Sequence, residues 1–303
     1  MVINMRIVSF GDLYCDYYIK NSKDVYVSGG KSNANILVNL SRYFKCAYFG
    51  VCGCDSEGKI AISSLKNVGI ETHIREVQDE TKTFFINDGV TSKICPYCKK
   101  RYGYSGTKME ILDIKEIEKD DYIVVDNLRK FTLDVLKKYD NEAFLDLGTN
   151  HDILDYGFAE LTNLLKGRFS IISLNEKVYY YLKDKFLVDS YDLYDNFSPK
   201  ILIITRGKRG CDVIYNDKFL KKTIEEPIRE VDASGAGEAF ISEFIRTYIE
   251  EKKIDDKMIS KSIIRALTNS SKCIKNLGAR GHIIKPYKVT SYEKCICRSI
   301  DVK

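Results

Sequence analysis

The chain has 303 residues, 44% of them apolar and 30% charged, with a formal net charge of +5. That length supplies one large core or two small ones and excludes a short peptide module. No apolar run approaches the roughly 20 residues of a spanning helix, so no transmembrane segment is expected; the scattered lysines do not indicate a nucleic-acid surface, and four prolines with balanced charge argue against a disordered chain.

Residues 5–12 (Met5-Arg-Ile-Val-Ser-Phe-Gly-Asp12) read as a buried strand ending in a glycine turn. Residues 14–27, rich in Tyr, Ile and Val, read as further strand, and Ser28-Gly-Gly-Lys-Ser-Asn33 as a turn. Residues 34–44 place Ile36, Leu37, Leu40 and Tyr43 at helical spacing; 46–51 return to strand; 59–68 repeat the helical pattern with Ile60, Ile62, Leu65 and Val68. Residues 81–104 alternate Thr, Phe, Ile, Val and Tyr around Asn87-Asp-Gly89, a hairpin pattern. Strands at 122–125, 143–146, 169–174, 201–205 and 211–215 then alternate with helices at 131–139, 156–165, 177–185, 237–251 and 259–275. Such alternation predicts a three-layer α/β fold with a mainly parallel central sheet. The segments 14–27 and 81–104 stand apart as a small β lid. No internal repeat or low-complexity linker interrupts residues 1–290, which read as one domain followed by a tail at 291–303.

The ten cysteines are sparse and often sit in apolar runs. The first residues reach Asp12 before a signal-peptide core could form, so reduced thiols in a cytoplasmic protein are expected.

The most informative stretch is Val231-Asp-Ala-Ser-Gly-Ala-Gly-Glu-Ala-Phe240. Gly235, Ala236 and Gly237 lead directly into an apolar-periodic helix. A glycine turn there presents backbone N–H groups at the positive end of the helix dipole, which is an anion site. Glu238 in the first turn would stand beside a bound phosphate, a pairing that suits phosphoryl transfer. A plain glycine turn with a dipole-favoured acid reads equally well from spacing alone.

Asp232-Ala-Ser-Gly-Ala-Gly-Glu-Ala-Phe240 resembles the C-terminal signature of the PfkB, or ribokinase-like, sugar kinases. Other residues agree in chain order. Gly29-Gly30 followed by Asn35, with Gly50, Gly53, Asp55, Gly58, Leu65 and Gly69-Ile70, is similar to the family's N-terminal signature. Gly11-Asp12 and Asp16 match its opening strand and sugar-binding acid. Thr205-Arg-Gly-Lys-Arg-Gly210 is similar to its Thr-X-Gly-X-X-Gly nucleotide loop, and Gly278-Ala279 to its final element. The resemblance spans essentially the whole chain, and the spacing looks nearest to fructoselysine 6-kinase-like members.

The resemblance implies ATP-dependent phosphorylation of a sugar or sugar-like hydroxyl, with Mg²⁺ bridging the phosphates. It implies Glu238 as general base and the amides of Gly235, Ala236 and Gly237 as anion hole. Asp12, Asp16, Gly29, Gly30 and Asn35 would bind the substrate; Asn175, Thr205, Gly207 and Gly210 would line the nucleotide phosphates, and Asn269 would border the adenine. The lid would close over the sugar, and a homodimer through the lid is compatible with the family's habit.

Three residues depart from the pattern. Glu238 stands where the family has aspartate, displacing the carboxylate by one methylene; an error of order 1 Å can cost ~10²-fold in rate. Asn175-Glu-Lys-Val178 lacks the outer acid of the family's Asn-X-X-Glu, and Glu176 replaces it only in a shifted loop. The spacing from Gly30 leaves Asn33 or Asn35 for the substrate role, with Asn35 favoured by the downstream helix. A slow or inactive member acting as a sugar- or nucleotide-binding module, or a nucleoside or vitamin kinase on the same fold, stands as the alternative.

Cys95-Pro-Tyr-Cys98 is a lone Cys-X-X-Cys, and a structural zinc site wants four ligands. Cys295 and Cys297 supply the rest only if the C-terminus folds onto the lid, so free thiols are the expectation. His73, His151 and His282 share no metal spacing; His282, near Gly278-Ala279, is the one that can lie near nucleotide. The run Tyr179-Tyr-Tyr181 reads as helix packing, and Asp146 as a structural turn acid.

Overall fold

The computed structural model describes residues 5–20, 24–87, 89–101, 114, 116–148, 153, 155–224 and 229–289. His151, Cys295, Cys297, residues 102–104 of the expected lid and the tail 291–303 lie outside them.

Strand β1 (Arg6–Asp12) shows how the layers arise. Alternate side chains on a strand point to opposite faces, so Ile7 enters one apolar layer and Val8 the other. β1 pairs in parallel with β4 (Lys45–Gly53) on one side and β8 (Tyr122–Val125) on the other. The sheet continues outward from β4 to β5 (Glu71–Val77). From β8 it continues through β9 (Ala143–Asp146), β10 (Ile171–Asn175) and β11 (Ile201–Thr205) to β12 (Cys211–Tyr215) and β13 (Lys218–Lys222). Eight of these nine strands share one direction, and only β12 runs against them.

One face is covered by α1 (Ser32–Leu40), α2 (Ser56–Lys66), α7 (Ala236–Glu251) and α8 (Asp256–Ile274). The other is covered by α3 (Lys130–Lys138), α4 (Phe158–Leu165), α5 (Glu176–Phe186) and α6 (Ser190–Phe197). A fully buried Leu, Ile or Phe contributes about 1.5–3 kcal/mol, and such residues are the majority in both layers.

A second, smaller sheet contains the described parts of the segments expected to form a lid. Its order is β14 (Tyr287–Lys288), β3 (Asp24–Gly30), β2 (Tyr14–Lys20), β6 (Lys82–Asn87) and β7 (Val90–Ser92). It closes over its own apolar cluster of Cys15, Tyr17, Ile19, Val25, Val27, Ile60, Phe85 and Cys95.

The structure departs from expectation at several places. Gly29 and Gly30 end strand β3 instead of forming a turn, and α1 begins at Ser32. The expected long hairpin is β6 and β7 followed by a separate small turn closed by a bridge between Ile94 and Arg101. α8 starts three residues early because Asp255 caps it, its side chain accepting from the N–H of Met258. β5, β13, β14 and α6 are additional elements. β5 and β13 are edge strands whose charged residues break the apolar alternation.

Candidate active site

The carboxyl ends of the parallel strands, where open α/β sheets hold ligands, carry a row of polar residues. Asp12 closes β1, Asp126 follows β8, Asp146 closes β9, Asn175 closes β10 and Thr205 closes β11.

The start of α7 is shaped by Asp232. Its carboxylate accepts from the N–H of Ser234 (2.9 Å) and of Gly278 (2.9 Å), which ties this loop to the turn after α8. Gly235 takes φ +78°, and a β-carbon there would lie 2.5 Å from the carbonyl oxygen of Ala279. Backbone angle and close approach both require glycine. The helix has no side-chain cap, which leaves its first amides and its dipole to an anion. A β-carbon on Gly237 would meet nothing within 4 Å, so the approach is open. Of the three residues of the expected anion hole, Ala236 gives its N–H to Ala233 O over a long 3.3 Å.

Glu238 stands half-buried in the first turn of α7, and its Oε1 accepts from the hydroxyl of Ser32 at the start of α1 (2.7 Å). Its charge reaches Asp16 on the lid and Asp146 at the end of β9. Burial is the main cause that pushes each of these carboxyls up to about 7, and Glu238 adds to both shifts. Against that rise, Asp16 is held down by the Arg280 guanidinium and by the Tyr18 hydroxyl, which donates to Oδ2 (3.4 Å). Glu238 on α7 is thus the charge common to a carboxyl on the second sheet and one at the end of β9. The latter is Asp146, read as structural from the sequence.

On the second sheet Gly30 pairs in register with Tyr14, and the Asp16 side chain lies diagonally over it, so that a β-carbon on Gly30 would sit 2.3 Å from Asp16 Oδ2. Behind them lies Arg280, 1% exposed. Its Nε donates to Asn35 Oδ1 (2.7 Å), Nη1 to Ser64 Oγ (2.5 Å) and Nη2 to Gly30 O (2.6 Å). Burial pulls the guanidinium down to about 10, which leaves it charged at neutral pH. The two candidate asparagines differ sharply. Asn33 is wholly buried, donating to Phe10 O and accepting from Tyr48, so it anchors α1 to β1. Asn35 is the one joined through Arg280 to Gly30. Gly29 packs so closely that a β-carbon would meet Ser64 Oγ at 2.2 Å.

Asp12 pairs with Lys82 of β6, which links lid to sheet. Lys31 reaches Asp126 (2.7 Å), and both lysines lie over the ring of Tyr14. A small pocket beside them is lined by Gly11, Asp12, Lys31, Asn127, Arg129 and Thr132, among others.

Two loops sit together on the far side. Asn175 caps α5, its side chain accepting from the N–H of Val178 (2.9 Å), and pairs in register with Thr205. Gly207 and Gly210 both hold positive φ in the turn after β11, and Arg206 N–H donates to Gly210 O (2.8 Å). Arg209 pairs with Glu176, so that acid is already engaged, and Val178 packs into the apolar layer. Asn269 is apart from these groups. It lies buried between helices, donating to Asn39 and Ala239 O and accepting from Arg42. His282 joins the same network through Asn39 (3.0 Å), and burial lowers it to about 4.

Sequence reasoning missed Arg280, because a charged residue in a loop carries no burial signal. Its place directly after Gly278-Ala279 was the one available hint. The lysine pair over Tyr14 gave no motif at all.

No protein-family model matches the chain. A 5-dehydro-2-deoxygluconokinase of Clostridium botulinum is 24% identical over 281 residues, covering 83% of this chain and 81% of that protein. Ribokinase from Thermotoga maritima superposes with a TM-score of 0.69 at 17% identity, covering 92% of this chain and 96% of the other. Aminoimidazole riboside kinase from Salmonella enterica, complexed with aminoimidazole riboside and an ATP analog, gives a TM-score of 0.72 at 15% identity, covering 92% and 97%. The solved structures share the ribokinase-like fold, and the curated relatives, which are sugar kinases, are similar in sequence over most of their length.

Proposed function

We propose that the chain transfers the γ-phosphoryl group of ATP to a hydroxyl of a sugar or sugar-like compound. One observation carries this reading: α7 begins without a side-chain cap, and Glu238 in its first turn acts electrostatically on both Asp16 of β2 and Asp146 at the end of β9. Asp16, Gly30 and Asn35 hold the acceptor's hydroxyls, with Asp12 and Gly29 shaping the wall beside them. Glu238 takes the proton from the attacking hydroxyl. The amides of Gly235, Ala236 and Gly237 stabilise the charge on the transferring group. Asn175, Thr205, Gly207 and Gly210 form the bed for the remaining phosphates. Bound Mg²⁺ supplies neutralisation of phosphate charge and in-line orientation; the open approach at Gly237 and the carboxyl cluster are compatible with it. Among the described residues no helix is long and apolar enough to cross a membrane. We place the enzyme in the cytoplasm, with the lid edge bearing exposed Val90 and Ile94 as its dimer face.

The test is coupled ADP release with Mg-ATP over hexoses, pentoses, sugar acids including 5-dehydro-2-deoxygluconate, Amadori sugars and nucleosides, run beside thermal shift. Stimulation by one acceptor, lost by ~10²–10⁴-fold in Glu238→Gln with ATP binding kept, is the expected result. Stabilisation by ligands without ADP release refutes turnover, and full activity in Glu238→Gln refutes the base.

A further inference from the structure

Ser32 opens α1, a helix with no side-chain cap. Its hydroxyl crosses to α7 and donates to Glu238 Oε1 at 2.7 Å, 206 positions along the chain. That is the length of a hydrogen bond from a hydroxyl to a charged carboxylate. Among the described residues no hydrogen bond reaches the other oxygen, Oε2.

The backbone that aims this hydroxyl is strained. Lys31, immediately before it, holds φ 86° and ψ 127°, a conformation that residues with a side chain rarely enter. Three contacts keep it there. Arg280 Nη2 donates to Gly30 O (2.6 Å), Asn35 N–H donates to Lys31 O (2.8 Å), and the Lys31 ammonium pairs with Asp126 (2.7 Å). Strain held in place by its surroundings clusters where a neighbouring group has to be aimed. The two helices do not need the Ser32 bond to stay together. Arg42, just after α1, pairs with Glu243 of α7 (3.3 Å), and Asn269 of α8 joins Asn39 of α1 (2.9 Å) to Ala239 O of α7 (3.0 Å).

Glutamate has one more rotatable bond than aspartate, so its carboxylate is harder to place, and a misplacement of order 1 Å can cost ~10²-fold in rate. We propose, on the reading of Glu238 as the base, that Ser32 is the positioning residue that fixes Glu238 for proton transfer. Ser32 locks Oε1 and leaves Oε2 for the acceptor. As Oε2 takes the proton, the acceptor oxygen bonds to the γ-phosphorus, and the bond from that phosphorus to the bridging oxygen breaks with its electron pair leaving on ADP. Gly30 stands two residues before Ser32, so one short segment sets both the wall against the acceptor and the direction of the base.

The test measures ADP release by the full chain with Mg-ATP and the stimulating member of the panel of hexoses, pentoses, sugar acids, Amadori sugars and nucleosides. Ser32→Ala should lower kcat by ~10–10²-fold, while the KM of acceptor and of ATP and the circular dichroism spectrum stay near their original values. Ser32→Thr, which keeps the hydroxyl, should restore most of the kcat. In a Glu238→Asp background the shorter side chain cannot keep the Ser32 bond, so adding Ser32→Ala should cost no more than about twofold. An unchanged kcat in Ser32→Ala, with or without a lowered Tm, or an equal loss in both backgrounds, overturns the positioning role. Loss of turnover in Glu238→Gln together with full turnover in Ser32→Ala leaves the base standing and removes Ser32 alone. Full turnover in Glu238→Gln, or no stimulation by any acceptor, overturns the base and the positioning role together.

Discussion

Replacing Arg280 by methionine removes a buried cation while keeping its bulk. Three acceptors lose their donor: Asn35 Oδ1, Ser64 Oγ and Gly30 O, at 2.7, 2.5 and 2.6 Å. Each unpaired buried acceptor costs ~1–3 kcal/mol. Ser64 keeps its own bond to Ala61 O, so the expected loss is about 3–5 kcal/mol, within the usual stability of a domain. The variant should fold at low temperature with a lowered Tm. Its second effect is electrostatic. Arg280 is the strongest influence opposing the rise of Asp16 to about 7. Without it the carboxyl titrates higher still, and the acid limb of kcat/KM moves to higher pH. The groups that also face Asp16 are Tyr18 from its own strand, and Glu238 and Asp232 from the start of α7. The assay is the pH profile of ADP release, with acceptor and ATP varied separately. Acceptor KM should rise at least ~10-fold, equivalent to about 1.4 kcal/mol, while ATP KM stays near its original value. Arg280→Lys should restore the acid limb without restoring KM, since a lysine cannot reproduce the three-way fork. A stable Arg280→Met enzyme with unchanged acid limb and acceptor KM refutes the reasoning.

Two further outcomes are expected. Gly235→Ala forces a side chain into φ +78° and onto Ala279, so it should cost at least ~1–2 kcal/mol and abolish the thermal shift given by ATP while leaving that given by the acceptor. Asp16→Asn should alter the pH dependence of stability. Between about 4 and 7 the folded chain holds a proton that the unfolded chain releases, so wild-type stability falls as pH rises through that window, by up to about 4 kcal/mol from this group. The Tm of Asp16→Asn relative to wild type should therefore climb from pH 4 to 7 and level off above; a constant difference speaks against a buried, raised carboxyl.

The parts of the site legible in sequence are those where the backbone itself is constrained. Gly235 must be glycine for angle and contact, and Gly30 must clear Asp16, so both stand out at fixed spacing. Strand ends such as Asp12, Asn175 and Thr205 follow from the apolar runs that precede them. What could not be read depends on contacts between distant segments. Arg280 joins residues more than 200 positions away, and no local pattern announces it. Asn269 looks like a site residue by motif, yet its amide is engaged between α1 and α7. Val178 stands where an outer acid was sought, and the packing of α5 makes that position part of the core. α6 did carry a local signal, the reciprocal cap of Asp189 and Asp192, but with only Leu193 and Phe197 buried among its eight residues the apolar periodicity is too short to stand out.

The outermost strands of the large sheet have a consequence for the chain's life before and between catalytic cycles. An outer strand presents unpaired main-chain groups to any passing polypeptide. β13 offers Lys218, Lys221 and Lys222 at one border, and β5 offers Glu71, Arg75 and Glu76 at the other, all exposed. A foreign strand docking there would have to strip water from these charges, and copies of β13 would also repel one another. The borders of the sheet thus guard a nascent or partly opened chain against self-templated fibre growth, so that nine strands stop at nine.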